Sequence, residues 1–217
     1  MINNHPLLMI ITGNIKSKKV ICFSAGIHGN ESSGPLAIID FLNQYQATNN
    51  DPKIIIFPVA NPVGFNDNTY FVRDGQNLNR NFGKRKMTAE NHLLYTAIMN
   101  EPISFFASFH EDDELAGAYM HAYFDEKKPP AIYFDLLDTL SKTCPIYKKN
   151  RIHNYKAKNG LVPNPAPDGS FEDQMRQDGV KYSICLEIPD RLPIGDRIEA
   201  NTAIMKTIVD FIKKEKI

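Results

Sequence analysis

Cysteine is scarce in this chain and has no partner pattern: Cys22, Cys144 and Cys185 form an odd, scattered set with no pair two residues apart. That excludes a disulfide framework, and two of the three lie in apolar, strand-like runs, so all three are read as reduced core thiols of a protein from a reducing compartment. Excess charge is absent as well. Lys and Arg together number 25, Asp and Glu 25, which argues against nucleic acid or an anionic membrane surface as the main partner and leaves a small molecule or peptide as the expected substrate. No apolar run approaches membrane-spanning length, and residues 1–6 are polar without a basic stretch, so the chain as given is expected to be cytoplasmic. There is no internal repeat. At 217 residues the expectation is one domain over 1–217, large enough to bury roughly 70% of its unfolded surface without a cofactor to hold it together.

Apolar runs alternate with helical periodicity. Residues 7–12 and 19–25 are strand-like and separated by Gly13, Asn14 and a Lys-rich turn, which predicts a hairpin or neighbouring strands. Pro35 opens a helix to about Tyr45, and residues 53–59 form a third strand that empties into a long, polar, Asn-rich connection reaching residue 86. Thr88 caps a helix to about Asn100 with Leu93, Leu94, Ala97 and Ile98 inward, and a strand over 103–109 ends at His110. Residues 118–124 alternate aromatic and small side chains, 131–142 are an amphipathic helix, and 159–169 are loop. A short helix over 171–176 precedes a strand over 181–186 that delivers Glu187, and Asp196 caps a final helix. The alternation predicts a three-layer α/β/α domain.

Three predicted strands thus end in chemistry. The run over 19–25 leads into Gly26-Ile27-His28-Gly29-Asn30-Glu31, where glycines on both sides of His28 let an imidazole and a carboxylate converge. His110 and Glu187 close two other strands, and Arg73 and Arg80 ride on the long connection. Two His and two Glu at strand ends are the parts of a hydrolytic zinc site: three side chains to bind metal and one carboxylate free to take a proton from water. A lone His or Glu at a strand end is ordinarily structural, and it is their combination that points to a site.

The motifs as ordered resemble the zinc metallocarboxypeptidases of the carboxypeptidase A type over residue 19 to the last helix. The matching segments are His28 to Glu31; Asn61-Pro62-Val63-Gly64-Phe65; Arg73; Asn77-Leu78-Asn79-Arg80-Asn81-Phe82; Ser108-Phe109-His110; and Lys181 to Glu187. The resemblance implies a mixed, twisted central sheet and one Zn²⁺ per chain on His28, Glu31 and His110. It makes Glu187 the general base and acid acting through a zinc-activated water, and Arg73 the group that polarises the scissile carbonyl. Asn79 and Arg80 would clamp the free C-terminal carboxylate of a peptide or small amide. Asn77 stands where that family usually has Asp, and accepts a hydrogen bond from a ligand His without the charge. The chain is short for that family and resembles its compact bacterial members, including those acting on peptidoglycan-derived peptides. No clear counterpart of the mobile tyrosine is present, Tyr155 being the nearest stand-in.

Specificity has two readings. Aligning on Gly169-Ser170 makes Phe171 the pocket residue and predicts an apolar terminal side chain; counting back from Glu187 makes it Glu172 and predicts a basic one or diaminopimelate. The acidic run Glu111 to Glu114 is either a solvated loop or a lure for a cation. Two rival functions remain. The segment through His28 and Glu31 also resembles aspartoacylase and succinylglutamate desuccinylase, zinc amidohydrolases that deacylate N-acyl amino acids; an inactive protein that binds peptide C-termini is the other, against which Glu187 speaks.

Overall fold

The computed structural model describes residues 5–72, 74–83 and 87–215. In chain order the elements are β1 (Ile10–Gly13), β2 (Val20–Ala25), α1 (Ser33–Gln44), β3 (Lys53–Phe57), α2 (Pro62–Asp67), a 3-10 turn (Leu78–Arg80), α3 (Ala89–Ile98), β4 (Ile103–Asp112) and β5 (Tyr119–Tyr123). After these come α4 (Ala131–Leu140), β6 (Arg151–Ile152), β7 (Tyr155–Lys156), β8 (Leu161–Pro163), α5 (Phe171–Gln177), β9 (Tyr182–Pro189) and α6 (Ile194–Lys214). Seven strands form one mixed sheet in the order β1-β3-β2-β4-β9-β5-β8, and β6 and β7 make a separate hairpin. β3, β2, β4 and β9 run parallel, β1 is antiparallel to β3, and β5 is antiparallel to β9 but parallel to the edge strand β8. The expected hairpin of β1 with β2 is not formed. β3 lies between them because the β2-α1-β3 crossover sets it against β2, and β1 pairs instead along its outer edge.

Strand side chains alternate between two cores. Ile21, Phe23, Ile54, Ile56, Phe105, Ala107, Phe109, Ile184 and Leu186 face α1, α4 and α6, whereas Val20, Cys22, Ile55, Phe57 and Phe106 face α3 and α5. On the second face the apolar lining stops at Phe106. Beyond it come Ser108 and His110 on β4, Ser183, Cys185 and Glu187 on β9, and Tyr119, His121 and Tyr123 on β5. A half-sheet that is greasy on one side and polar on the other has room for a cavity, and the site lies there.

Other boundaries differ in instructive ways. The long connection holds α2, whose N-cap Asn61 accepts from Gly64 N, and the 3-10 turn, whose cap Asn77 accepts from Asn79 N. Polar caps with little apolar periodicity make these short helices look like loop. Thr88 does cap α3 through its side chain, but Leu93 and Ala97 face solvent while Leu94 and Ile98 are buried. Asp196 sits within the first turn of α6, after the N-cap Pro193.

Candidate active site

The site is assembled at the carboxyl ends of β2, β4 and β9, where β2 lies between its two successors β3 and β4 and the chain departs toward opposite faces. Gly26, at φ 59, turns the chain out of β2. Gly29 then presses on α2: a Cβ there would stand 1.9 Å from the carbonyl carbon of Gly64. This docking turns His28 and Glu31 back over the sheet. His110 and Glu187 are direct register partners on the adjacent strands β4 and β9, so they stand side by side about 4.8 Å apart in backbone spacing.

His28, Glu31 and His110 are buried and converge. His28 Nδ1 lies 2.6 Å from Glu31 Oε1, His110 Nδ1 lies 2.9 Å from Glu31 Oε2, and the two Nδ1 atoms are 3.2 Å apart. Four ligands at about 2.1 Å from a tetrahedral metal have edges of about 3.4 Å, so two imidazoles and a carboxylate at these spacings fit a zinc-like ion. Burial opposes charge on Glu31, but the two histidines overcome it and hold its carboxyl at about 2. Burial likewise opposes charge on His110, yet Cys185, Glu31 and Glu172 raise its pKa well above the ordinary value. The trio therefore attracts a positive charge, which a proton or a metal ion can supply.

The outer nitrogens of both histidines are tied down. His28 Nε2 donates to Asn77 Oδ1 at 3.2 Å, the interaction expected of Asn77. His110 Nε2 faces Glu172 Oε1 at 3.5 Å. Glu172 is fully buried, takes the Ser108 hydroxyl on the same oxygen, and accepts from Asn79 Nδ2 at 3.2 Å on the other. Burial would raise its pKa; the His110 and Ser108 contacts bring it down to about 2. Such a carboxylate behind a ligand histidine fixes the ring's tautomer and orientation. A second convergence, of His110, Glu172 and Cys185, uses this same committed carboxylate.

These contacts revise several expectations. Glu172 borders the cavity but its oxygens serve His110, Ser108 and Asn79. Phe171 does not line the cavity at all: it is buried, stacked on Phe82 at 4.2 Å and packed against Phe106, because the first turn of α5 points it into the core. Asn79 is also buried, its Oδ1 accepting from Phe171 N and its amide donating to Glu172, so it braces the floor. Arg80 is half-exposed over the cavity, donates to Asn79 O at 2.6 Å and lies 3.4 Å from Asp168, with the rest of its guanidinium available to an anion. Arg73 lies outside the described residues. Glu111 is neither solvated nor free, since it accepts from Ser33 N and pairs with Arg197. Asp112 accepts from Tyr119 Oη at 2.6 Å.

Glu187 opens onto the cavity but is otherwise ringed by protein. Burial, followed by the charges of Glu31 and Asp112, pushes its pKa up to about 8 against the pull of His110. The cavity, about 330 Å³, has further walls that the sequence motifs do not single out: Tyr70, Tyr119, His121, Tyr123 and His153. Tyr155, the proposed stand-in, is there too and meets the edge of His121. Burial drives the His121 pKa down to about 4, so its ring is neutral. The period-2 alternation of β5 was the available signal, because Tyr119, His121 and Tyr123 share one face of that strand.

Among the described residues, no helix is long and apolar enough to cross a membrane. The family model of the succinylglutamate desuccinylase/aspartoacylase catalytic domain matches residues 17–142. No curated protein matches in sequence. Among solved structures, a candidate metallopeptidase from Shewanella amazonensis SB2B superposes with TM-score 0.88 at 26% identity, over 98% of this chain and 85% of that one. A candidate metallopeptidase from Shewanella baltica OS155 gives 0.86 at 26% identity, over 97% and 83%. A succinylglutamate desuccinylase/aspartoacylase from Rhodobacter sphaeroides gives 0.64 at 16% identity, over 95% and 58%.

Proposed function

The chain belongs to the succinylglutamate desuccinylase/aspartoacylase catalytic-domain family, and from that premise we propose that it is a zinc-dependent carboxypeptidase releasing the terminal residue of a peptide or small amide with a free carboxylate. The observation that carries this reading is the pairing of His110 with Glu187 on adjacent strands, beside Glu31 and His28 and across one cavity from Arg80.

His28, Glu31 and His110 would hold the ion, which when bound supplies Lewis-acid activation of water and of a carbonyl. In the metal-free protein Glu187 holds its proton up to about pH 8; a cation on the neighbouring trio would favour its ionised form, which takes the proton from the attacking water and passes it to the departing amine. Arg80 grips the substrate carboxylate in the bidentate manner of a guanidinium, which places the amide one residue back from the terminus over Glu187. Arg73, on the same connection, is assigned the developing oxyanion. The closer overall likeness to metallopeptidases supports a peptide over an N-acyl amino acid, and likeness to compact bacterial carboxypeptidases makes peptidoglycan-derived peptides the first to try. The family model itself favours the second reading, deacylation of an N-acyl amino acid.

Zinc-loaded protein offered peptides ending in Phe, Lys or diaminopimelate, together with N-acetylaspartate and N-succinylglutamate, separates the two. The expected outcome is release of a terminal amino acid from a peptide, with Glu187→Gln lowering kcat by about 10²–10⁴-fold while zinc content is unchanged. Turnover of the N-acyl amino acids alone would make the protein a deacylase.

A further inference from the structure

His28 presents a problem of orientation. It sits in an irregular loop, not on a strand, and a half-turn of its ring would put the carbon Cδ2 where Nδ1 meets Glu31 and His110, and Cε1 where Nε2 meets Asn77. The hydrogen bonds around it fix which atom is which. A backbone N–H only donates, so the contact of Asn79 N with Asn77 at 2.8 Å identifies the Asn77 atom as its carbonyl oxygen. That oxygen also meets His28 Nε2, which must therefore carry the proton, leaving the Nδ1 lone pair for the cluster. The Asn77 amide nitrogen then points the other way and donates to Tyr70 Oη at 3.3 Å. The Tyr70 ring lies on the His28 ring, centroids 3.7 Å apart and planes 14° from parallel.

We propose that Tyr70 is a positioning residue for His28, its ring covering one face of the imidazole and holding the plane in which Nδ1 meets the other two ligands. The proposal rests on the reading of His28 as a metal ligand. It is physically economical: Thr69, next to Tyr70, is pinned to the His28 loop by Gly29 N donating to its carbonyl oxygen at 2.9 Å, so ring and loop move together. Stacking, rather than the phenol, is the working contact, because the Asn77 amide is already oriented by Asn79.

Two variants divide these roles. Tyr70→Phe keeps the ring and removes the hydroxyl; Tyr70→Leu removes the ring. Zinc affinity is read by competition with a chromogenic chelator, on protein whose melting curve is checked. The expected result is a dissociation constant within about twofold of wild type for Tyr70→Phe and about 10–100-fold weaker for Tyr70→Leu, the range for losing support behind a ligand. In parallel, ¹³C relaxation of the imidazole rings in the metal-free protein should show His28 held rigid in wild type and given added ring motion in Tyr70→Leu, with the His110 ring unaffected. Wild-type affinity in Tyr70→Leu overturns the proposal, and so does equal weakening in both variants, which would place the effect in the hydroxyl. If the wild-type protein fails to bind zinc at all, the hydrolase reading falls, while the ring-motion measurement still decides whether Tyr70 orders His28: equal His28 ring motion in wild type and Tyr70→Leu overturns the proposal.

Discussion

Glu187 carries the sharpest consequence at the scale of single residues. In the metal-free protein its folded pKa is about 8 against an ordinary 4.5, so the folded state holds a proton that the unfolded chain has lost. Its contribution to stability is then fully present below about pH 4.5 and lost as pH rises through 8. Glu31 and Glu172 act in the opposite sense: their pKa values near 2 give stability above pH 4.5 that disappears only as pH falls toward 2. The melting temperature of metal-free wild type is therefore expected to decline between pH 5 and 8, with His110, whose pKa is also raised, adding to the fall above its ordinary value; Glu187→Gln, which cannot ionise, should lose the Glu187 share and decline less steeply, and parallel profiles for the two proteins would refute the assignment. The identities of His28, Glu31, His110 and Glu187 were legible because each follows an apolar run that can only be a strand. The commitments of Asn79, Phe171 and Glu172 were not, since direction within the 3-10 turn and the first turn of α5 depends on packing against Phe82 and Phe106, which no local pattern encodes.

Elements determine what reaches the cavity. β5 presents Tyr119, His121 and Tyr123 one below another, opposite Glu187, Cys185 and Ser183 of β9, so the wall beneath Glu187 is polar for two steps of the pleat. The Tyr119 and Ser183 hydroxyls are committed to Asp112 and to the Glu172 carbonyl, so it is the His121 ring that an apolar terminal side chain would cover without a partner, and kcat/KM is expected to be at least about tenfold higher for peptides ending in polar residues than for Leu or Phe. His121→Leu should narrow that ratio by raising activity on apolar termini, measured with matched peptide pairs. The loop after β2 makes a different point. Since Gly29 lies against the Gly64 carbonyl, Gly29→Ala must displace the His28 loop or α2, and zinc affinity should drop by more than tenfold while the circular dichroism of the sheet persists. The helices and central strands could be read from periodicity. The neighbours of β1 could not, because pairing order follows from crossover handedness and not from adjacency in sequence.

For the molecule as a whole, metal binding is expected to report on folding. The ligands come from two separate parts of the chain, residues 28–31 and strand β4, and are brought together only in the native state, so an ion bound there stabilises it by mass action. At about 100 times its dissociation constant this amounts to about 2.7 kcal/mol, which for a chain of this size corresponds to a rise of roughly 5–10 °C in Tm. Calorimetry with and without a chelator tests it, and an unchanged Tm would mean that the trio holds no ion.

One half of the site is anchored to strands and the other to loops, and amide hydrogen exchange should divide along that line. His110 and Glu187 lie in the ladder between β4 and β9 at the middle of the sheet, where amides open only when the whole molecule unfolds. Thr69 and Asn77 are tied to the His28 loop by isolated bonds, so the amides of residues 69–72 and 74–77 should exchange through local opening. Zinc would then slow exchange at those residues selectively and leave the central ladder unchanged, mapping how the ion closes the looser half of the site onto the rigid one.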